Sequence, residues 1–428
     1  MKSTEKDPIN YYKYIRETYE NSYLAEDTTQ IIIGINCSYL DSTMYSYEDI
    51  RDFIKNKNGI SDFSGLFGVF AYETIHYFER INEIKSEQYY FPNFIFSDAD
   101  AYLHFDKKTL SFTFHGDKSK YEDILTKCKE YEKNSKQLKK KNNKYSILTN
   151  KIKEKNNFIK IVKKAKKFIK EGDIFQVVLS TQMLISSNLD PMEFYEELSK
   201  QNPSPYMFYF PTKYGDVIGS SPEILLKVNN NKIFIAPIAG TRPRGKDEAE
   251  DLFLAHDLLN DEKELAEHRM LIDLARNDAG KFSESGSVTV ERPMHIEYFQ
   301  HVMHIVSEVY GNKKEEFDVL DILTTAFPAG TLSGSPKIRA MEIISELEEY
   351  KRHIYGGGIG FLHYNGDSQI AIIIRTAFYN NEKYFIQSGA GIVFDSNPEK
   401  EYQEICHKRK SLINVFNIKC EEEKVWSY

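Results

Sequence analysis

Two Glu-x-x-Glu pairs, Glu264/Glu267 and Glu401/Glu404, are the residues best placed by type and spacing to do chemistry. Over residues 263–275, helical spacing puts Glu264, Glu267, Leu271, Leu274 and Ala275 on one stripe, with Arg269 and Asp273 on the other side. The face that should pack inward therefore carries carboxylates. An unpaired buried carboxylate costs roughly several kcal/mol, so a proton or a cation must compensate. In the second pair, Glu401, Glu404 and Lys408 share a stripe beside Tyr402, Ile405, Leu412, Ile413 and Phe416, a boundary face suited to lining a cleft. Carboxylates from two separated helices offer the hard oxygen ligands that suit Mg²⁺, which takes its remaining ligands from water and an anionic substrate. The same spacing also arises by chance in a chain with 64 acidic residues, and the spacing alone leaves both readings open.

Other positions gain meaning beside these pairs. Arg375 stands in the apolar run AIIIRTAF and needs an anionic partner, either a substrate carboxylate held by a bidentate fork or a structural ion pair. His304 lies in the apolar run HVMHIVSEV, where it is a satisfied core residue unless it faces the carboxylates as an acid or base. The glycines of Ser388-Gly-Ala-Gly-Ile-Val393 let backbone amides approach a ligand. Gly356-Gly-Gly-Ile-Gly360 lacks dinucleotide-binding spacing, and Gly330-Thr-Leu-Ser-Gly-Ser-Pro-Lys337 lacks the Gly-Lys-[Ser/Thr] of a P-loop. Pro336 is expected in the first turn of a helix capped by Ser335 or Ser333.

These residues need a scaffold, and 428 residues can form one large domain or two. A net charge of −8 argues against nucleic acid as the main partner. No apolar run reaches membrane-spanning length, and no signal-peptide core is expected. Cys37, Cys128, Cys406 and Cys420 are scattered without a C-x-x-C, as free thiols in a cytoplasmic protein would be. Residues 1–150 read as an N-terminal region of mixed strands and helices, with strands at 30–36 and 66–71. It ends in a basic stretch, 133–157, read as a helix end plus linker. Residues 151–428 read as the catalytic region. Helices are expected at 158–171, 191–201, within 247–275, after Pro336 and from Pro398. Strands are expected at 174–183, 206–211, 217–220, 224–228, 232–237, 287–291, 302–309, 370–379 and 384–388. Hairpin-linked strands with interspersed helices predict an α+β fold rather than a parallel sheet.

Eight stretches in order, among them SSPEILL, PIAGTRPRG, ELAEHRMLIDLARND, AGTLSGSPKIRAME, YGGGIG and SGAGIVFDSNPEKEYQE, resemble chorismate-utilising enzymes, most closely the anthranilate synthase large subunits. The resemblance covers roughly residues 151–416. It implies two orthogonally packed antiparallel sheets flanked by helices, a lyase activity, and chorismate bound with Mg²⁺ in a cleft. By this resemblance Glu267 and Glu404 bind the metal, while Glu264 and Glu401 hold its waters. Arg375, Gly389 and Gly391 bind substrate carboxylates with Tyr355 and Lys408 nearby, and Gly240 and Thr241 line the ring. Glu223 is the acid for the departing 4-hydroxyl, and His304, with Thr331 close by, is the base of the later elimination.

Within the family, relatives that add water carry lysine where this chain has Gln176, and those that make aminodeoxychorismate typically carry lysine where it has Ala239. A neutral amide cannot activate water, and a methyl group offers no nucleophile. Both point to ammonia adding at C2, followed by pyruvate loss. The alternatives are aminodeoxychorismate synthase, an isochorismate or salicylate synthase, and a non-catalytic binding subunit. No amidotransferase signature is present, so a glutamine amidotransferase partner, as a heterotetramer by family habit, is expected to supply ammonia. Feedback-inhibited relatives form a tryptophan pocket from Leu-Leu-Glu-Ser and Asn-Pro-Ser-Pro-[Tyr/Phe]-Met stretches. Here the second is intact, with Pro205, Tyr206 and Met207, whereas the first reads Leu24-Ala25-Glu26-Asp27, with Glu26 kept and aspartate replacing serine.

Overall fold

A computed structural model describes residues 7–135, 143–299 and 302–416. Cys420, His301 and the middle of the basic stretch lie outside these residues. Among the described residues, nineteen strands join in one continuous ladder, and every strand pair in it is antiparallel. Helices cover it, so the class is the expected α+β.

The period-2 alternation of side chains separates two layers. Along Gln30–Asp41, Ile31, Ile33 and Ile35 pack with the helices Pro8–Thr18 and Pro191–Gln201, while Ile32 and Cys37 turn into a cluster built from strand and loop side chains. Along Gly65–Phe70, Leu66 and Phe70 pack with a second set of helices, while Phe67 and Val69 enter that same strand-lined cluster. Phe67, Tyr102, Phe208 and Phe361 thus fill the space between two sheet faces. The strand Phe94–Asp106 serves both layers: Phe94 and Phe96 belong to one helix-covered core, Ala101 and Leu103 to the other. Strands that pass between layers in this way make the corners of orthogonal packing. They also explain why one ladder runs through both layers. Residues 1–150 share this ladder with the rest: Tyr23–Glu26 pairs with Tyr206–Thr212, and Gly65–Phe70 with Gly358–His363.

The structure corrects several sequence expectations. The basic stretch is not simply a linker. Tyr145–Ile147 pairs with Gln176–Ser187, and Asn150 caps a helix that starts at Lys151 by accepting from the Lys153 amide. The helical stretch at 247–275 is two helices, Glu248–Leu259 and Glu262–Gly280, because Asp261 caps the second through the amides of Lys263 and Glu264. Helix Lys337–Leu347 has Pro336 at its N-cap with no side-chain cap, so neither Ser335 nor Ser333 caps it. Arg375 is not within a strand. It sits between Ser368–Ile372 and Thr376–Asn380 at φ 51°, a left-handed conformation that breaks the run and redirects its side chain. The strand Ile238–Pro243 was missed because Pro237 before it, Pro243 at its end and Gly240 within it disguise it. It pairs with Val302–Asn312 through a bulge at Gly240.

The early start of helix Lys151–Glu171 has a specific anchor. Glu154 is buried and accepts from Arg409 Nη1 at 2.6 Å, from Thr181 at 2.6 Å and from Tyr402 at 3.1 Å. Arg409 is fully buried. Removing one member of such a pair strands the other charge, so Arg409→Met is expected to lower unfolding free energy by about 3 kcal/mol. Urea denaturation reads this directly, and a loss below about 1 kcal/mol would show the pair to be dispensable.

Candidate active site

Two helices bring the glutamate pairs to one cavity. Helix Glu262–Gly280 packs on Ile238–Pro243 and Val302–Asn312, with Leu271, Ile272 and Ala275 buried and Arg269 and Asp273 exposed. Helix Pro398–Asn414 packs on Lys383–Ile392 through Tyr402, Ile405 and Leu412. Glu264 and Glu401 each fall in the first turn, where the helix N-terminus favours negative charge. Between these helices and the strands lies a cavity of about 590 Å³. Its walls include every catalytic, substrate and metal residue expected above: Glu223, Gly240, Thr241, Glu264, Glu267, His304, Thr331, Tyr355, Arg375, Gly389, Gly391, Glu401, Glu404 and Lys408. Gln176 and Ala239 line it too.

The carboxylates do not form a closed ligand cage. Among the described residues, the one group of three or more acidic, histidine or cysteine side chains whose ligand atoms lie within 4.8 Å of one another is His295, Glu297 and Glu308. Instead, nitrogen donors of the chain meet the inner glutamates. Gln176 Nε2 donates to Glu267 at 2.8 Å, and Lys408 Nζ lies 2.7 Å from Glu404 and 2.9 Å from the Gly389 carbonyl. Burial, then the nearby Glu267, pushes the Glu264 carboxyl up; burial and Glu404 do the same to Glu401. Desolvated Glu264 and Glu401, each beside a second carboxylate, favour a cation, and the all-oxygen donor set fits Mg²⁺.

Glu223 sits on the other wall, buried, between Gly215–Ser221 and Ile224–Asn229. Its Oε1 accepts from Thr331 Oγ1 at 2.8 Å. Burial pushes the Glu223 carboxyl up to about 7, against the pull of Thr331, Lys408 and Arg375. The acid is therefore substantially protonated near neutral pH. Thr331 is held in the turn Gly330–Leu332.

His304 faces Thr241 across the register of Val302–Asn312 and Ile238–Pro243. Its Nδ1 lies 2.9 Å from the Gly240 carbonyl and 3.1 Å from Thr241 Oγ1. A carbonyl only accepts, so Nδ1 carries the proton and Nε2 keeps its lone pair. Burial pulls the imidazole below its ordinary value and keeps it neutral. Gly240 adopts φ 68°, and a Cβ there would meet Leu258 at 2.9 Å and Glu264 at 3.3 Å. The bulge thus lets the carbonyl reach His304 beside the acidic helix.

Burial also pulls the Arg375 guanidinium down, against the upward pull of the nearby Tyr355, Glu404 and Glu223 side chains. Its Nη1 donates to the Lys408 carbonyl at 3.2 Å. At Gly389 a Cβ would strike Tyr355 Oη at 2.7 Å, and at Gly391 the Gln176 amide at 2.6 Å. Backbone amides are thereby bared at the cavity wall. Sequence reasoning missed Gln387 and Lys263, which also line the cavity. Lys263 adjoins Glu264 and carried that signal; Gln387 carried none. Gln176 Oε1 is buried without a partner, an acceptor left open at the wall.

A second, smaller cavity is lined by Glu26, Asp27, Tyr206 and Met207 together with Phe67, Gly360 and Phe361. Pro205 is not among its lining residues. The Asp27 carboxylate accepts from the amides of Thr29 and Gln30 at 2.7 and 3.0 Å, capping its own turn.

The family model for chorismate binding enzyme matches residues 7–414. Anthranilate synthase component 1 of Aquifex aeolicus is 42% identical over 376 residues, covering 84% of this chain and 76% of that protein. The component 1 protein of Methanothermobacter marburgensis is 36% identical, covering 97% and 94%. Among solved structures, anthranilate synthase component I from Streptococcus pneumoniae superposes with a TM-score of 0.76 at 33% identity, covering 96% of this chain and 95% of that one. The menaquinone-specific isochorismate synthase of Escherichia coli shares the fold, with a TM-score of 0.73 at 17% identity, covering 96% and 91%.

Proposed function

The chain belongs to the chorismate-binding enzymes, and from that membership we propose that it is the large subunit of an anthranilate synthase, converting chorismate and ammonia to anthranilate and pyruvate. The observation that carries this reading within the family is the identity of two wall positions. Gln176 and Ala239 line the cavity where a lysine would serve to activate water or attack the ring. Neither residue can do so, which leaves free ammonia as the nucleophile.

The residues divide the work between two stages. Arg375, with the amides at Gly389 and Gly391, receives the substrate carboxylates, and Lys408 adds charge beside them. Glu223 donates its proton to the 4-hydroxyl as the C4–O bond breaks, so water leaves while ammonia bonds to C2 and the ring double bonds shift; the proton the new ammonium group sheds restores the acid through solvent. His304 Nε2 then removes the C2 proton as the C3–O bond breaks, and the enol form of pyruvate departs and takes up a proton to become pyruvate. Mg²⁺ held by Glu267 and Glu404, with Glu264 and Glu401 binding its waters, would supply charge neutralisation for the ring carboxylate.

The relatives' designation as component 1 supports a partner subunit. A glutamine amidotransferase subunit delivering ammonia, in a heterotetramer, suits that designation. The second cavity suits tryptophan as a feedback ligand, with Asp27 engaged in its own turn rather than free to repel. No described helix is long and apolar enough to cross a membrane, and we assign the protein to the cytoplasm.

Chorismate and ammonium should yield anthranilate fluorescence with Mg²⁺, falling roughly 10³-fold when a chelator is added. A non-fluorescent aminated product that an added lyase converts to 4-aminobenzoate would instead favour the folate-pathway enzyme. Turnover unaffected by the chelator would end the metal assignment.

A further inference from the structure

Behind the cavity wall lies a buried ion pair that the reaction above does not use. Arg352 is fully buried. Its Nε and Nη2 donate to the two oxygens of buried Glu348 at 2.9 and 2.6 Å. The remaining guanidinium protons leave the pair. Nη1 donates to the Leu332 carbonyl at 2.7 Å, and Nη2 to the Val178 carbonyl at 2.7 Å. Leu332 ends the turn that carries Thr331, and Val178 follows Gln176 by two residues on one strand. Glu348 Oε1 in turn accepts from the Ser180 amide at 2.8 Å and hydroxyl at 2.9 Å. Ser180 Oγ accepts from Gln387 at 2.8 Å. The Arg352 guanidinium also stacks within 5.6 Å of the Tyr355 ring centre.

Stability alone does not call for this arrangement. A buried ion pair roughly breaks even against well-packed apolar residues of the same volume. An apolar pair cannot, however, bond two carbonyls on different elements and an amide on a third position. Arginine can, because its five donors form a rigid planar fork. The walls that meet here are those carrying the proton donor's partner, the open amide of Gln176, and Tyr355.

We propose that Arg352 and Glu348 form a positioning pair, which clamps the Thr331 turn against the Gln176 strand and so sets where acid and nucleophile meet the substrate. The pair acts through Thr331 and Gln176 and touches no substrate. The proposal rests on the chorismate-aminating reading of the cavity.

The test compares wild type with the apolar double variant Arg352→Met/Glu348→Leu, which leaves no stranded charge. Loosening a site by about 1 Å costs up to roughly 100-fold in rate, so kcat should fall by about that factor with the protein still folded by circular dichroism. A merely structural role would not move the pH profile. Here it should move: the Thr331 hydrogen bond holds the Glu223 carboxyl down. Once that turn is loosened the carboxyl rises, and the alkaline limb of kcat/KM shifts to higher pH. A folded double variant with kcat within about threefold of wild type, or with the limb unmoved, overturns the proposal. If the double variant does not fold, Arg352→Lys decides. A point-charge donor cannot span both carbonyls, so about tenfold loss with the same limb shift is expected, and wild-type behaviour overturns it. Failure of the chorismate reading would show differently, as absence of anthranilate from the wild-type enzyme itself.

Discussion

Glu223→Gln is expected to lower anthranilate formation from chorismate and ammonium by roughly 10³-fold, the loss that follows removal of a positioned general acid. The amide is nearly isosteric, and its oxygen can still accept from Thr331 as Glu223 Oε1 does at 2.8 Å. Packing and the local hydrogen bond survive; the transferable proton does not. KM for chorismate should change little, because the lost interaction belongs to the transition state. The pH profile supplies a second check. Burial holds the Glu223 carboxyl at about 7. The acid works when protonated, so activity is full below that value and falls as pH rises through it. In the Gln variant this alkaline limb should vanish, leaving a low residual activity that no longer declines as pH rises through that value. A variant that keeps a third or more of wild-type turnover, roughly, would remove Glu223 from the acid role.

That assignment was legible in the sequence only as resemblance, whereas the acidic face on the cavity was legible as physics. Glu264 and Glu267 announced themselves because helical periodicity put them on the same stripe as Leu271 and Ala275, both of which are buried. The last helix read equally well, since Tyr402, Ile405 and Leu412 mark its inner face. What the pattern could not reveal depends on long-range pairing. Glu223 meets Thr331 across a separation of 108 residues, and Arg352 meets Val178 across 174. No local spacing encodes such contacts. Arg375 was misplaced for a related reason. The apolar run around it matches a strand, yet a left-handed φ of 51° at that residue splits the run in two. A side chain needed in the cavity outweighed the local preference to continue the ladder. The strand Ile238–Pro243 was hidden by its glycine, its terminal proline and the Pro237 before it, although its bulge is the device that brings the Gly240 carbonyl to His304.

His304→Met separates the two chemical stages and is the sharper test of that device. The Nδ1 contact with Gly240 at 2.9 Å leaves Nε2 as the unprotonated nitrogen, and burial keeps the ring neutral below its ordinary value of 6.5. A neutral imidazole is the form that can take the C2 proton, so this group works above its pKa and fails as pH falls through it. Its limb therefore lies on the acid side, opposite to that of Glu223, and the two enclose a window near neutrality. Methionine fills the space without a base. Amination should proceed, because Glu223, Gln176 and the glutamates are untouched, while pyruvate elimination falls by roughly 10³-fold. The aminated, pyruvate-bearing intermediate should then accumulate and be seen by mass spectrometry as anthranilate fluorescence is lost. Normal anthranilate output would show that the proton leaves by another route. Loss of both stages together, with no intermediate, would mean that His304 shapes the cavity rather than removing the proton.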